Sequence, residues 1–186
     1  MGGRWVTGFL GSLLWGISLY GCLTTDPLKK PFGYLSFVLA KSHGMLGMLN
    51  SLQKHDKCSE AARFGKLMDC VQLTLFNSEL YEQSEGLGRA ILYGMCMTPL
   101  IHTMAKDPNQ KLWKCLLTFY NCSSLTLRAN NDSNWLWIAI GMLHFITVEG
   151  IELLGGKFRR AIGPQIAYMT RIIVTYLALQ AINGTH

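Results

Sequence analysis

KCSEAARFGKLMDCVQLTLFNSELYEQSE, residues 57–85, is the stretch on which the fold turns. Phe64, Leu67, Met68, Val71 and Leu75 recur at helical spacing, with Lys66, Asp69 and Gln72 between them. Residues three and four apart share one face of a helix, so the pattern predicts an amphipathic helix over residues 57–82. Such a helix lies on a membrane surface or docks on a neighbour. Glu79, Glu82 and Glu85 make its tail acidic and are expected to face solvent. The charges along it exclude a membrane span.

Outside this stretch the chain is more apolar. Hydrophobic residues make up 49% of the 186 and charged residues 15%, against about 25% charged in an ordinary soluble domain. Mean hydropathy is positive but modest, at +0.21, so many of the helices must be mixed in character. The reading is an all-α, polytopic membrane protein of one domain, with about six transmembrane helices (four to six) and one amphipathic surface helix.

The candidate spans are residues 5–23, 32–52, 87–105, 112–127, 134–155 and 161–182. Only Trp5–Leu23 stands alone by hydropathy: its 19 uncharged residues cover about 28 Å as helix. Arg4, this apolar core and Leu19-Tyr20-Gly21-Cys22 have a signal-like outline, but the segment is expected to be retained as a span. Gly8, Ser12 and Gly16 form a small-residue stripe along it, of the kind that lets another helix approach closely. Lys41 and His43 interrupt the second span, and Pro99 marks a kink in the third. Lys114 and Asn121 dilute the fourth, and Arg171 interrupts the last.

Loop charge gives an orientation. With six crossings, loops 24–31, 106–114 and 157–160 share one side, with eight basic and two acidic residues (net +6). The opposite side has six basic and seven acidic residues (net −1). The positive-inside rule then places both termini outside, or in the intermembrane space of a mitochondrion. Lys157, Arg159 and Arg160 read as a topogenic anchor on lipid headgroups, with a bound phospholipid such as cardiolipin as the associated ligand.

HFITVEGIELLGGKFRR, residues 144–160, carries the intramembrane chemistry. A carboxylate or guanidinium in hydrocarbon needs a partner. The hairpin of the last two spans brings Glu149 and Arg171 to similar depths, so they are expected to form a structural ion pair across it. Glu152 is expected nearer the surface, beside Lys157 or Arg159. His43 and His144 fall at one depth, the arrangement by which two membrane helices hold a b-type haem; otherwise no cofactor is expected.

The six cysteines show no CxxC pair or zinc-like spacing and read as small buried hydrophobes. No Walker loop, GxSxG or HExxH motif is present. The +6 net charge is distributed for membrane topology, with no nucleic-acid surface. His144, Phe145 and Glu149, followed by a basic turn and Gly163-Pro164, resemble the last hairpin of the small endoplasmic-reticulum scaffold of sterol synthesis. The spacing and the other helices do not follow that family, and no residue role is carried over from it.

The functional expectation is a non-catalytic accessory subunit of a large hetero-oligomeric membrane complex. The mitochondrial inner membrane is the favoured location, and a respiratory-chain or ATP synthase assembly the favoured host. A haem b- or quinone-binding membrane anchor built on His43 and His144 is the first alternative. A small transporter or channel around Lys41, Glu149 and Arg171 is the second.

Overall fold

The computed structural model describes residues 2–52, 58–90, 92, 97–104, 109–131, 134–151 and 156–184. Among these residues every element is helical and none is a strand, as the all-α reading expects. The elements are α1 (Gly2–Thr24), α2 (Pro31–Leu52), α3 (Cys58–Glu85), α4 (Gly88–Ala90), α5 (Met97–Met104), α6 (Gln110–Asn131), α7 (Trp135–Phe145) with a π-helical turn (Ile146–Gly150), and α8 (Gly156–Asn183). Two described segments are long and apolar enough to cross a membrane, Gly3–Thr24 and Ile162–Asn183, and Trp135–Gly150 is a shorter apolar helix. Six such spans were expected. Lys41 and His43 in α2, and Lys114 and Asn121 in α6, lower the apolarity of those helices. The expected span 87–105 is described only as α4, Leu92 and α5, and residues 152–155 of the fifth lie outside the described residues.

Local chemistry sets the hairpins. Between α1 and α2 the Asp26 carboxylate accepts from the Leu28 amide at 2.9 Å, an Asx turn. Pro31 opens α2, where its missing amide costs nothing. The next α2 amides, of Phe32 and Gly33, donate to Glu79 Oε2 at 3.0 and 2.9 Å, so a carboxylate from α3 caps α2. Gly86, at φ +66°, follows α3 and donates its amide to the Glu82 carbonyl. Asn134 caps α7 by accepting from Leu136.

Backbone approach holds α1 to α2. A Cβ at Gly44 would lie 2.6 Å from the Trp15 nitrogen and 2.7 Å from the Gly11 carbonyl oxygen. The contact stripe is therefore Gly8 and Gly11 against Gly44 and Ser51, not Gly8, Ser12 and Gly16. Gly8 faces inward as expected, but Ser12 and Gly16 are exposed, and a Cβ at Gly16 meets nothing within 4 Å.

The helix read as a surface element is the centre of the bundle. Residues 72–80 of α3 are all buried, Glu79 included. Gln72 and Glu79, expected on the wet face, point instead to neighbouring helices, Gln72 to Thr175 of α8 and Glu79 to the start of α2, and Asn77 reaches Asn121 of α6. One apolar cluster, with Phe37, Phe76, Trp137 and Ile182, packs around the later half of α3. Another, with Leu10, Leu14, Met68 and Tyr168, packs around its earlier half.

Counting α3 as a crossing changes the parity of the chain. A Cβ at Gly3 would lie 3.1 Å from the Gln165 amide nitrogen, near the start of α8. Asn183, at the end of α8, donates to Thr24 at 3.3 Å, at the end of α1. α1 and α8 therefore run parallel, and the two ends of the chain lie at opposite ends of the bundle. α6 runs parallel to α3, with Leu117 beside Cys70, Asn121 on Thr74 and Asn77, and Ser124 on Tyr81. The expectation that both termini share one side, and that loops 24–31 and 157–160 do, is overturned. It came from leaving α3 out of the crossings.

Two glycine substitutions separate close approach from open space. Gly44→Ala is expected to destabilise the bundle by about 1–3 kcal/mol, because backbone atoms must part to admit the methyl. Gly16→Ala is expected to be neutral or to stabilise by up to ~1 kcal/mol. Thermal unfolding of the two variants in one detergent checks the pair.

A buried ion-pair cluster as the candidate functional site

Four helices meet at Asp69, one turn before the fully buried stretch of α3. Arg171 of α8 forms an ion pair with its carboxylate, the two side chains being 9% and 17% exposed. The same guanidinium reaches the Gly65 carbonyl at 3.4 Å and lies 2.9 Å from His43 Nε2 on α2. His144 Nε2, from α7, lies 2.8 Å from the Asp69 backbone carbonyl. A guanidinium can only donate, and a carbonyl can only accept. His43 therefore accepts at Nε2 and, when neutral, carries its proton on Nδ1; His144 carries a proton on Nε2. With both rings neutral the cluster has one positive and one negative charge and no net charge.

Packing fixes the imidazole of His43. It stacks on Tyr168 with centroids 4.8 Å apart and on Phe64 at 6.0 Å, with interplanar angles of 6° and 10°. Gly65 lets α3 come close, a Cβ there lying 3.6 Å from His43 Cε1. Next along α3, Gln72 donates to Thr175 at 3.1 Å. Beyond it Asn77 donates to Asn121, which donates to Thr74 and to the Leu117 carbonyl. A polar seam thus follows α3 between the two apolar clusters and up toward Tyr81, whose hydroxyl pairs with Ser124.

The sequence reading found Arg171, His43 and His144 but missed the residue that joins them. Arg171 pairs with Asp69 and not with Glu149. Glu149 sits half-buried in the π-helical turn, while its neighbours Thr147 and Val148 take the buried face. Asp69 had been assigned to the wet face of a surface helix. The signal that would have found it is a lone aspartate one turn before an uncharged run, VQLTLFNS, in a chain with an arginine inside an apolar helix to neutralise.

The two histidines come to one cluster, as equal depth predicted, but not as haem ligands. Each ring's Nε2, the atom that would bind the iron, is engaged by a protein partner: Arg171 for His43 and the Asp69 carbonyl for His144. Among the described residues no group of His, Cys, Asp or Glu is arranged to hold a metal ion. Lys157, Arg159 and Arg160 are in the first turns of α8, with side chains outside the described residues, as is Glu152. Cys22, Cys70, Cys115 and Cys122 are free thiols; Cys70 is buried and Cys115 exposed.

A family model described as "Domain of unknown function (DUF4791)" matches residues 27–182. The chain belongs to that family. The matched region contains Asp69, Arg171 and both cluster histidines, and every helix from α2 to α7. No match is found among curated proteins, and none among solved structures.

The ion pair predicts a non-additive mutant series. Asp69→Leu or Arg171→Leu alone strands one buried charge and is expected to cost about 3–5 kcal/mol. The double variant replaces both charges with apolar groups and is expected to lose less than either single change. Thermal unfolding of the three in detergent reads the coupling directly, and additive losses would remove the pair from its central place.

Proposed function

We propose that the chain is an integral-membrane helix bundle acting as a non-catalytic accessory subunit of a larger membrane assembly. The observation that carries this is the distribution of polarity. Gln72, Thr74, Asn77, Ser78, Glu79 and Arg171 are buried, while Trp5, Phe9, Phe119, Leu127, Trp135 and Tyr176 are at least half exposed on the outer helices. In water such an apolar exterior is a liability, whereas lipid tails or partner helices solvate it. The second support is what the buried polar groups do: most bond one another across helices, the pattern of structural glue.

The setting proposed is the mitochondrial inner membrane, with a respiratory-chain or ATP synthase assembly as host and a phospholipid such as cardiolipin at the basic end. A basic pI of 9.1 favours it. The charge asymmetry is also steeper once α3 is counted as a crossing. Among the described residues, the helix ends on the Gln165 side carry eight basic residues: Arg4, Arg63, Lys66, Lys111, Lys114, Lys157, Arg159 and Arg160. The Lys30 end carries four: Lys29, Lys30, Arg89 and Arg128. By the positive-inside rule the N-terminus faces the matrix (or cytosol) and the C-terminus the opposite compartment.

A transporter or channel is the second reading, favoured by one observation. His43 Nδ1, Gln72 Oε1, Asn77 Oδ1 and Ser78 Oγ are buried along the seam with no hydrogen-bond partner among the described residues. Such atoms suit a path for protons or a small polar solute.

Carbonate-washed membranes are expected to retain the protein, and protease added to sealed vesicles is expected to cut tags at the two termini from opposite sides. Native electrophoresis after gentle solubilisation is expected to show it in a band many times its own 20.8 kDa. Migration as a monomer sinks the accessory-subunit reading. An Asp69-dependent dissipation of a pH gradient in liposomes would put the transporter reading in its place.

A further inference from the structure

At the Lys30 end an open cavity of about 440 Å³ lies between the last turns of α1 and α8 and the turn that joins α1 to α2. Its polar lining includes Tyr20, Asp26, Lys29, Lys30, Gln180 and Asn183. That volume falls within the range of small-ligand sites, about 300–1,000 Å³. We propose that this cavity binds the headgroup of an amine-bearing glycerophospholipid such as phosphatidylethanolamine.

Three features of the site define that ligand. The first is charge: two ammonium groups and a carboxylate in one cavity match a headgroup that carries a phosphate and an amine. Lys29 and Lys30 take the phosphate, and Asp26 takes the headgroup ammonium. Lys30 also donates to the Ile182 carbonyl, which ties the turn to the end of α8 and leaves its remaining N–H groups for the phosphate. The second is depth. α1 and α8 contain the two segments apolar enough to cross a membrane, and the cavity lies where both of them end, the level at which headgroups sit.

The third is a track for the acyl chains. Tyr20 and Gln180, which line the cavity, each continue down an exposed helix face: Gly16, Leu13 and Phe9 on α1, and Tyr176, Ile173 and Met169 on α8. Spacings of three and four residues keep each set in line. A Cβ at Gly16 would meet no atom within 4 Å, so the track has room where a side chain would narrow it. Leu28, 93% exposed in the turn beside Lys29, adds an apolar contact at the rim. A headgroup without chains would use only the polar part of this site.

The inference rests on the membrane reading above, yet it is tested on detergent-purified protein, so carbonate extraction and lipid binding can fail separately. The delipidated full chain is titrated with phosphatidylethanolamine, phosphatidylglycerol and soluble glycerophosphoethanolamine, and occupancy is read by native mass spectrometry. The wild-type chain is expected to hold one phosphatidylethanolamine in preference to phosphatidylglycerol, and to bind the soluble headgroup at least tenfold more weakly. Lys29→Glu is expected to weaken lipid binding about tenfold, the loss of one charge-assisted phosphate contact. Asp26→Asn keeps the acceptor for the Leu28 amide and is expected to remove the preference for the amine. Lys66→Glu, the same charge change on exposed α3 surface toward the opposite end, is expected to leave binding unchanged. Equal binding by wild type and Lys29→Glu overturns the site. Equal affinity for lipid and soluble headgroup overturns the acyl track and makes the cavity a phosphate site for a soluble ligand.

Discussion

The ion pair between Asp69 and Arg171 is the interaction on which the rest of the bundle depends. A helix with an aspartate and a run of amides and hydroxyls cannot occupy the centre of an apolar assembly unless those groups are met from outside the helix. Most of them are met by a neighbouring helix. α8 supplies Arg171 and Thr175, α6 supplies Asn121 and Ser124, α2 offers its amino-terminal amides to Glu79, and α7 places His144 on the Asp69 carbonyl. The polar residues of α3 therefore specify which helices surround it and in what register. Apolar packing alone would tolerate several arrangements, because leucine faces are interchangeable.

Placing α3 at the centre accounts for both the fold and the topology. A helix that crosses the bundle adds one traversal, and one traversal moves the C-terminus to the other end. The parallel run of α1 and α8 follows, with Gly3 beside Gln165 and Thr24 beside Asn183. It also brings Arg4, the start of α3 with Arg63 and Lys66, and the basic first turns of α8 to one end. The six-crossing scheme had divided them between two sides, placing Arg4 and residues 54–66 opposite 157–160. A single error about one helix thus affected the span count, the side of the termini and the apparent charge balance together.

The extents of α1 and α2 and the apolar part of α8 were legible because apolar length is a local property of the chain. The location of α3 was not legible by the same means. Helical periodicity reports that one face is polar, but it is silent on whether water or another helix solvates that face. Arg171 and the two histidines were found because isolated polar groups in apolar runs stand out. Asp69 was hidden among the ordinary charges of 57–85. Glu149 was the nearer acid along the chain, and sequence proximity carries no weight against the face a helix presents.

The charged groups at the Lys30 end divide by function in the same physical way. Glu79 caps the start of α2, where the helix dipole is positive, and Lys30 reaches a carbonyl at the end of α8, where it is negative. These two hold helix termini together across distant parts of the sequence. Lys29 and Asp26 are placed differently: among the described residues the Asp26 carboxylate accepts from the Leu28 amide of its own turn, and both residues line a cavity open to the surface. On the membrane reading proposed above, this lysine and aspartate would lie at headgroup depth, where the complementary charges would come from outside the chain. A phospholipid with a phosphate and an amine would supply both.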